Sequence, residues 1–294
     1  MKIGCHVSGA GGLEKAPGRA KELGCETFQM FTRSPQGGKP SPITDECAEK
    51  FKDAMSEHGL SDFVVHAPYF VNFGSTASNV YYGSISVITD ELERCNKLGA
   101  KYLMTHLGTY KDHIADEKGL PSEEGQKRVA DALVKILEKY KGETTKFLLE
   151  VAAGSGATIG SSFEQLAPLV EALKKYETFG GICFDTQHLY ASGYDISTAA
   201  GIKKTITQFD KLIGLKYLRM SHINDSKIEL GGKKDRHEHI AEGKIGEAGF
   251  AEFMKFWKKQ DKLLKDDAPF ILETEHDQVV EDMETLKKLR KALK

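Results

Sequence analysis

The stretch "ISVITDELERCNKLGAKYLMTH", residues 85–106, holds a complete transition from helix to strand, and its reading decides the fold. Ile85, Ile88, Leu92, Cys95 and Leu98 recur at the spacing that gathers them on one face of a helix. Leu98 and Gly99 then close that face, because glycine adopts the left-handed helix cap at least cost. The run "YLMTH" follows almost at once. It is short and nearly continuous in apolar residues, as a strand covered on both faces must be, and it finishes on His106. "ELGCETF" at 22–28 repeats the junction, with Leu23 and Gly24 ending one helix just before another apolar run.

Working outward, the same kind of run recurs along the chain. "KIGCHV" (2–7), "TFQMF" (27–31), "FVVH" (63–66) and "YLMTH" (102–106) come first. "FLLEV" (147–151), "GICFD" (181–185), "YLRMSHI" (217–223) and "FILET" (270–274) follow, with helical spacing between them. Strands alternating with helices over this length predict an α/β protein, a (β/α)8 TIM barrel forming a single domain over residues 1–294, in preference to an open doubly wound sheet. The Pro- and Gly-rich segment "RSPQGGKPSPITDE" (33–46) reads as a loop at the barrel mouth, not as a domain boundary.

Bulk properties exclude several classes. The chain has 294 residues, 40% of them hydrophobic, and carries a net charge of −2, so it is no basic coat for nonspecific nucleic-acid binding. Any contact with nucleic acid must be local. The cysteines Cys5, Cys25, Cys47, Cys95 and Cys183 are odd in number, scattered and without a C-x-x-C pair, which fits a reducing compartment. With neither a signal-peptide stretch nor a long apolar span, a cytoplasmic protein away from membranes is expected, or a nuclear or organellar one in a compartmented cell.

Barrel enzymes place their chemistry at the carboxyl ends of the strands. Those ends carry His6, His66, His106, Glu150, Asp185, His222 and Glu273, with only the second strand contributing none. A histidine or carboxylate at one strand end is ordinarily a hydrogen-bonded structural group. Together they describe a ring of imidazoles and carboxylates suited to zinc or manganese rather than to a thiolate site. In "CFDTQH" His188 follows Asp185 on the turn, and both can face one cavity. The stretch "KKDRHEHIAEGKIG" (233–246) reads by itself as a charged surface loop, yet Asp235 and His237 would point to one side of an extended backbone. They complete, with His188, a three-ligand set with open positions.

These residues resemble the endonuclease IV family of apurinic/apyrimidinic endonucleases, metal-dependent DNA repair enzymes on a (β/α)8 barrel. The markers are "HVSGAGG", "FQMFT", "VVHAPYFVNF", "THLGT", "CFDTQHLYASGYD", "SHINDSK", "DRHEHIAEGKIG" and "ILET", in the family's order. The resemblance implies three zinc ions per chain, with manganese able to take one site. His66 and His106 would hold the first, and Glu150 would bridge it to a second on Asp185, His222 and Glu273. The third would sit on His188, Asp235 and His237, with His6 behind the ligands. It also implies hydroxide attack in line on phosphorus, cutting double-stranded DNA 5′ to an abasic site and leaving a 3′-hydroxyl and a 5′ sugar phosphate. Tyr69 and Phe70 match the family's DNA wedge, and Arg33 is placed to reach a phosphate.

The chain departs from the pattern at several points. Gln36 and Gly38 stand where an arginine and a tryptophan are usual, "VAAGSG" follows Glu150 where Asn-Thr is usual, and Gln187 replaces a usual cysteine. "ILETEH" lacks a proline after Thr274. Two other readings compete. A sugar isomerase or epimerase of the xylose-isomerase type would use Glu150, Asp185, His222 and Glu273 but leave the 233–246 stretch without a role. A barrel that binds damaged DNA without cutting it has no reason to keep complete ligand sets. A monomer is the default expectation.

Overall fold

Each barrel strand alternates between an apolar shell outside and a smaller set of side chains inside, and this alternation positions everything that follows. The computed structural model describes residues 1–113, 121–260 and 268–293. Its strands are β1 (Lys2–Cys5), β2 (Gln29–Met30), β3 (Val64–His66), β4 (Tyr102–Thr105), β5 (Lys146–Glu150), β6 (Phe179–Asp185), β7 (Leu218–His222), β8 (Asp225–Ser226), β9 (His237–Glu238) and β10 (Pro269–Leu272). Between them run α1 (Ala16–Glu22), α2 (Asp45–Glu57), α3 (Ser78–Leu98), α4 (Glu123–Lys139), α5 (Phe163–Leu173), α6 (Thr186–Ser192), α7 (Ala199–Leu212), α8 (Gly246–Lys259) and α9 (Val279–Ala292).

Eight strands form one sheet in the order β1-β10-β7-β6-β5-β4-β3-β2. All neighbours are parallel. The two ends meet through a parallel bridge between His6 and Gln29, where the Val7 amide donates to the Gln29 carbonyl at 2.8 Å. The barrel nearly closes there because Gly4 lacks a side chain: a Cβ would lie 1.7 Å from the Thr27 carbonyl oxygen. The decisive helix-to-strand stretch folds as its pattern requires. Helix α3 ends at Gly99, whose φ of 86° is left-handed, and its amide caps the Cys95 carbonyl at 2.9 Å.

Outward-facing residues such as Val65, Leu103, Leu149 and Phe184 join the shell beneath the helices, with Phe51, Leu92, Leu133 and Trp257 packed over them. Inward-facing Val64, Tyr102, Met104, Leu148, Cys183, Met220 and Ile271 form a separate plug. Side chains repeat every second residue along a strand. His66, His106, Glu150, Asp185, His222 and Glu273 therefore each lie one inward step above the plug residue two positions earlier.

The 233–246 stretch is more than a loop. Its β9 pairs antiparallel with β8, setting Asp225 opposite Glu238 and Ser226 opposite His237. The Asp225 carboxylate then accepts from the amides of Gly243, Ile245 and Gly246 at 2.8–3.1 Å. This fastens the far end of the stretch to the start of α8.

Candidate metal centre

Glu150, the inward residue at the end of β5, is fully buried and lies at the middle of the site. Its Oε2 is 3.5 Å from Nε2 of His66 and 3.5 Å from Nε2 of His106. Its Oε1 is 2.8 Å from Nδ1 of His222 and 3.4 Å from Nδ1 of His188. Among the described residues, donor atoms fall into three groups, within each of which all lie within 4.8 Å of one another: His66, His106 and Glu150; Glu150, Asp185, His222 and Glu273; and Asp185, His188 and His237. Glu150 is common to the first two. Asp185 is common to the last two, a sharing the sequence did not indicate.

Asp235 belongs beside the third group rather than inside it. One carboxylate oxygen lies 3.3 Å from Nε2 of His188 and the other 3.3 Å from Nε2 of His237. The ribbon stretch thus reaches His188.

Hydrogen bonds aim the rings. Nδ1–H of His66 donates to the Ala67 carbonyl at 2.5 Å and that of His188 to the Val151 carbonyl at 3.0 Å, so each ring turns its Nε2 to the centre. Asp185 caps α6 by accepting from the His188 amide at 2.9 Å with Oδ1. Its Oδ2 accepts from the Asn224 side-chain amide at 2.8 Å, while Asn224 Oδ1 accepts from the Glu273 amide at 2.8 Å. Asn224 therefore ties β10 to β6.

The charge pattern favours a cation. Burial would push the Glu150 carboxyl up, but His106 and His222, with hydrogen bonds from His188 and His222, hold it well below its usual range. Burial also opposes the Glu273 carboxylate, yet His222 and His66 bring its pKa down to about 2. For His188 burial disfavours the charged imidazole, and Asp185, Asp235 and Glu150 overcome this and raise it well above the ordinary value. Buried polar atoms without hydrogen-bond partners include Glu150 Oε2, His188 Nε2 and His237 Nε2. Unsatisfied atoms of this kind are costly unless something coordinates them. Oxygen and imidazole nitrogen converging without thiolate fit a divalent cation of the zinc or manganese type.

Beside the centre, Tyr69 is 58% and Phe70 41% exposed. The Tyr69 ring lies 5.1 Å from that of His66 and so overhangs the donors, while Phe70 lies against the loop at Gly37. Arg33 is already engaged. Its guanidinium is held by Asp90 and by Glu91 at 2.5 Å, with the side chain 5% exposed, so a reach to a phosphate would have to break these pairs. Gly38 has a φ of 94° with nothing near its missing side chain, a backbone poorly suited to the tryptophan usual at that position.

Three contributors escaped the sequence reading. Gln29 on β2 is fully buried and bonded to three site residues. Its signal was a polar residue inside the apolar run "TFQMF" at an inward step. Asp282 on α9 accepts from His239 Nδ1 and the Ile240 amide, each at 2.8 Å, and from Thr274 Oγ1 at 2.7 Å, linking the ribbon stretch to the end of β10. Gln187 donates to the Lys234 carbonyl at 2.9 Å, so the unusual residue fastens the chain just before Asp235. His6, expected behind the ligands, contacts Gln29 and stands outside the three donor groups.

A family model described as xylose isomerase-like TIM barrel matches residues 17–294. The chain is 40% identical over 253 residues to a probable endonuclease 4 of Methanoculleus marisnigri, covering 86% of this chain and 87% of the relative. It is 37% identical over 292 residues to one from Nitrosopumilus maritimus, covering 99% of each. The solved endonuclease IV of Thermus thermophilus superimposes with a TM-score of 0.80 at 30% identity, over 100% of this chain and 98% of that one. A D-tagatose 3-epimerase-like protein superimposes with a TM-score of 0.72 at 19% identity, over 100% of this chain and 98% of that one, a likeness of fold alone.

Proposed function

The chain belongs to the endonuclease IV family of xylose isomerase-like TIM barrels, and from this premise we propose that it hydrolyses the phosphodiester 5′ to an abasic site in double-stranded DNA. The products are a 3′-hydroxyl and a 5′-deoxyribose phosphate. The observation that carries this reading is the third donor group, in which His188 and His237 converge with Asp235 beside them. An isomerase needs only the four-residue group of Glu150, Asp185, His222 and Glu273, which leaves the ribbon stretch without a purpose.

In this reading His66, His106 and Glu150 would hold one cation, Glu150, Asp185, His222 and Glu273 a second, and His188, Asp235 and His237 a third. Zinc suits all three positions, with manganese able to take one. Bound there, such cations lower the pKa of water into the neutral range and offset charge on the phosphate and its leaving oxygen. The chain does the rest. Carboxylates kept ionised by neighbouring imidazoles hold the charge balance of the pocket, and the plug below it shuts out solvent from the barrel interior. The exposed rings of Tyr69 and Phe70 enter the helix where a base is already missing and unstacking costs least.

The test is strand incision of a duplex carrying one tetrahydrofuran abasic analogue, beside the intact duplex, by metal-loaded protein. A single cut 5′ to the analogue with a polymerase-extendable end is expected. No cut at the analogue, together with turnover of a ketose substrate, would establish the isomerase reading instead.

A further inference from the structure

Gln29 is the inward residue of the strand that brings no ionisable donor to the mouth, and it is fully buried. Its flanking residues Phe28 and Met30 face outward into the shell, so the alternation of β2 directs the amide to the barrel axis. The amide uses both ends. Nε2 donates to Glu273 Oε1 at 2.6 Å and to His6 Nδ1 at 3.1 Å, and Oε1 accepts from His222 Nε2 at 2.8 Å.

The orientation of this amide is dictated by chemistry. An ionised carboxylate only accepts, so the NH2 group must face Glu273, and the oxygen is left for His222. An oxygen accepting from Nε2 requires the proton there. With Nε2–H engaged by Gln29, Nδ1 is the nitrogen left to serve the donor group; it donates to Glu150 Oε1 at 2.8 Å while no cation is bound and lies 3.4 Å from Glu273 Oε2 and 3.8 Å from Asp185 Oδ2. Held at Oε1, Glu273 turns its other oxygen toward the same point.

We propose that Gln29 is a positioning residue for the central cation: one uncharged amide selects the tautomer of His222 and fixes the rotamer of Glu273, two donors of the four-residue group. The role rests on the reading of that group as a cation site. Outer hydrogen-bond partners of ligands change affinity about 10- to 100-fold when removed. His6 is the support of the support, since its Nδ1 takes the second proton of the Gln29 amide.

The experiment compares Gln29→Met, which keeps length and burial without hydrogen bonds, and Gln29→Glu, which keeps the acceptor for His222 but sets a carboxylate against Glu273. Each is loaded with cobalt or zinc and titrated with a competing chelator, and the visible spectrum of the cobalt form is recorded. Both variants are expected to release one cation about 10- to 100-fold more readily than wild type, with a changed cobalt spectrum for that equivalent. The metal-free variants should melt below wild type, because the buried partners of Gln29 lose a hydrogen bond, and the rise on adding metal should shrink as well. Wild-type retention and spectra in a folded Gln29→Met protein overturn the inference. If that variant does not fold, the same result in Gln29→Glu overturns it. A wild-type protein that binds no cation defeats the reading of the group itself, an outcome separate from either.

Discussion

Glu150 is the residue on which two donor groups depend, and its position in sequence already says so. It stands two residues after Leu148 in the plug, on the inward side of β5, where an ionised carboxylate is costly without positive partners. Glu150→Gln keeps shape and removes charge, so a folded protein that has lost incision at the tetrahydrofuran site and at least one cation is expected. Near wild-type incision would remove Glu150 from the centre. Recognition also rests on single residues. Tyr69 and Phe70 are exposed, Tyr69 beside the donors, whereas Arg33 is occupied by Asp90 and Glu91. Replacing both aromatics with alanine should weaken binding to abasic duplex by about 1–3 kcal/mol for each stacked ring removed, and Gln36→Ala should do little. A larger effect of Gln36→Ala, measured at fixed salt, would move the wedge to the other loop. The ionisable donors were legible because histidine and carboxylate at inward strand ends stand out from apolar neighbours. Gln29 was passed over, because a neutral amide at an inward step is an ambiguous signal until its partners are seen, and the pairing of Arg33 was not legible because Asp90 and Glu91 lie far along the chain on α3.

At the scale of elements, the ribbon of β8 and β9 is what turns a charged stretch into part of a site. The eight barrel strands were legible from their apolar runs and glycine caps, while β8 and β9 have two residues each, too few for any periodicity. Their pairing follows from Asp225 and from the Asp282 anchor, contacts between distant segments. Asp235→Ala or His237→Ala should lower metal content by about one equivalent and turnover by about two orders of magnitude, the scale of lost charge stabilisation at a leaving group. Full metal content in both would return the stretch to a solvated surface. The same element carries backbone strain, since Ala241 has a φ of 71° and Lys233 one of 52°. A side chain in the left-handed region costs about 1–2 kcal/mol, so Ala241→Gly should raise stability by about 0.5–1 kcal/mol once the added freedom of the unfolded glycine is subtracted. Chemical denaturation of the two proteins reads this directly, and a loss of stability would show that Ala241 is not strained.

Over the whole molecule, the barrel's first strand and last helix are joined by Glu26. It accepts from Arg290 at 2.5 and 2.6 Å and from the Ile3 amide at 2.9 Å. Burial pushes the Glu26 carboxyl up, but the bonds from Arg290 and Ile3 outweigh it and leave its pKa below the ordinary value. The unfolded chain then binds the proton more readily, so this clamp contributes fully above the ordinary carboxylate range and is lost as pH falls through the lowered value. With Glu26 34% and Arg290 30% exposed, the contribution is about 1 kcal/mol at most. Metal-free wild type should therefore lose thermal stability on acidification more steeply than metal-free Glu26→Gln, and equal slopes would show the clamp to be idle. Among the described residues no helix is long and apolar enough to cross a membrane, and the barrel mouth is the working surface that the donor groups define. Everything proposed for that surface depends on how many cations it holds. Elemental analysis of purified, metal-loaded wild-type protein measures this directly: the account predicts about three equivalents per chain, whereas a stable content of about one or two would contradict the third site and with it the nuclease reading.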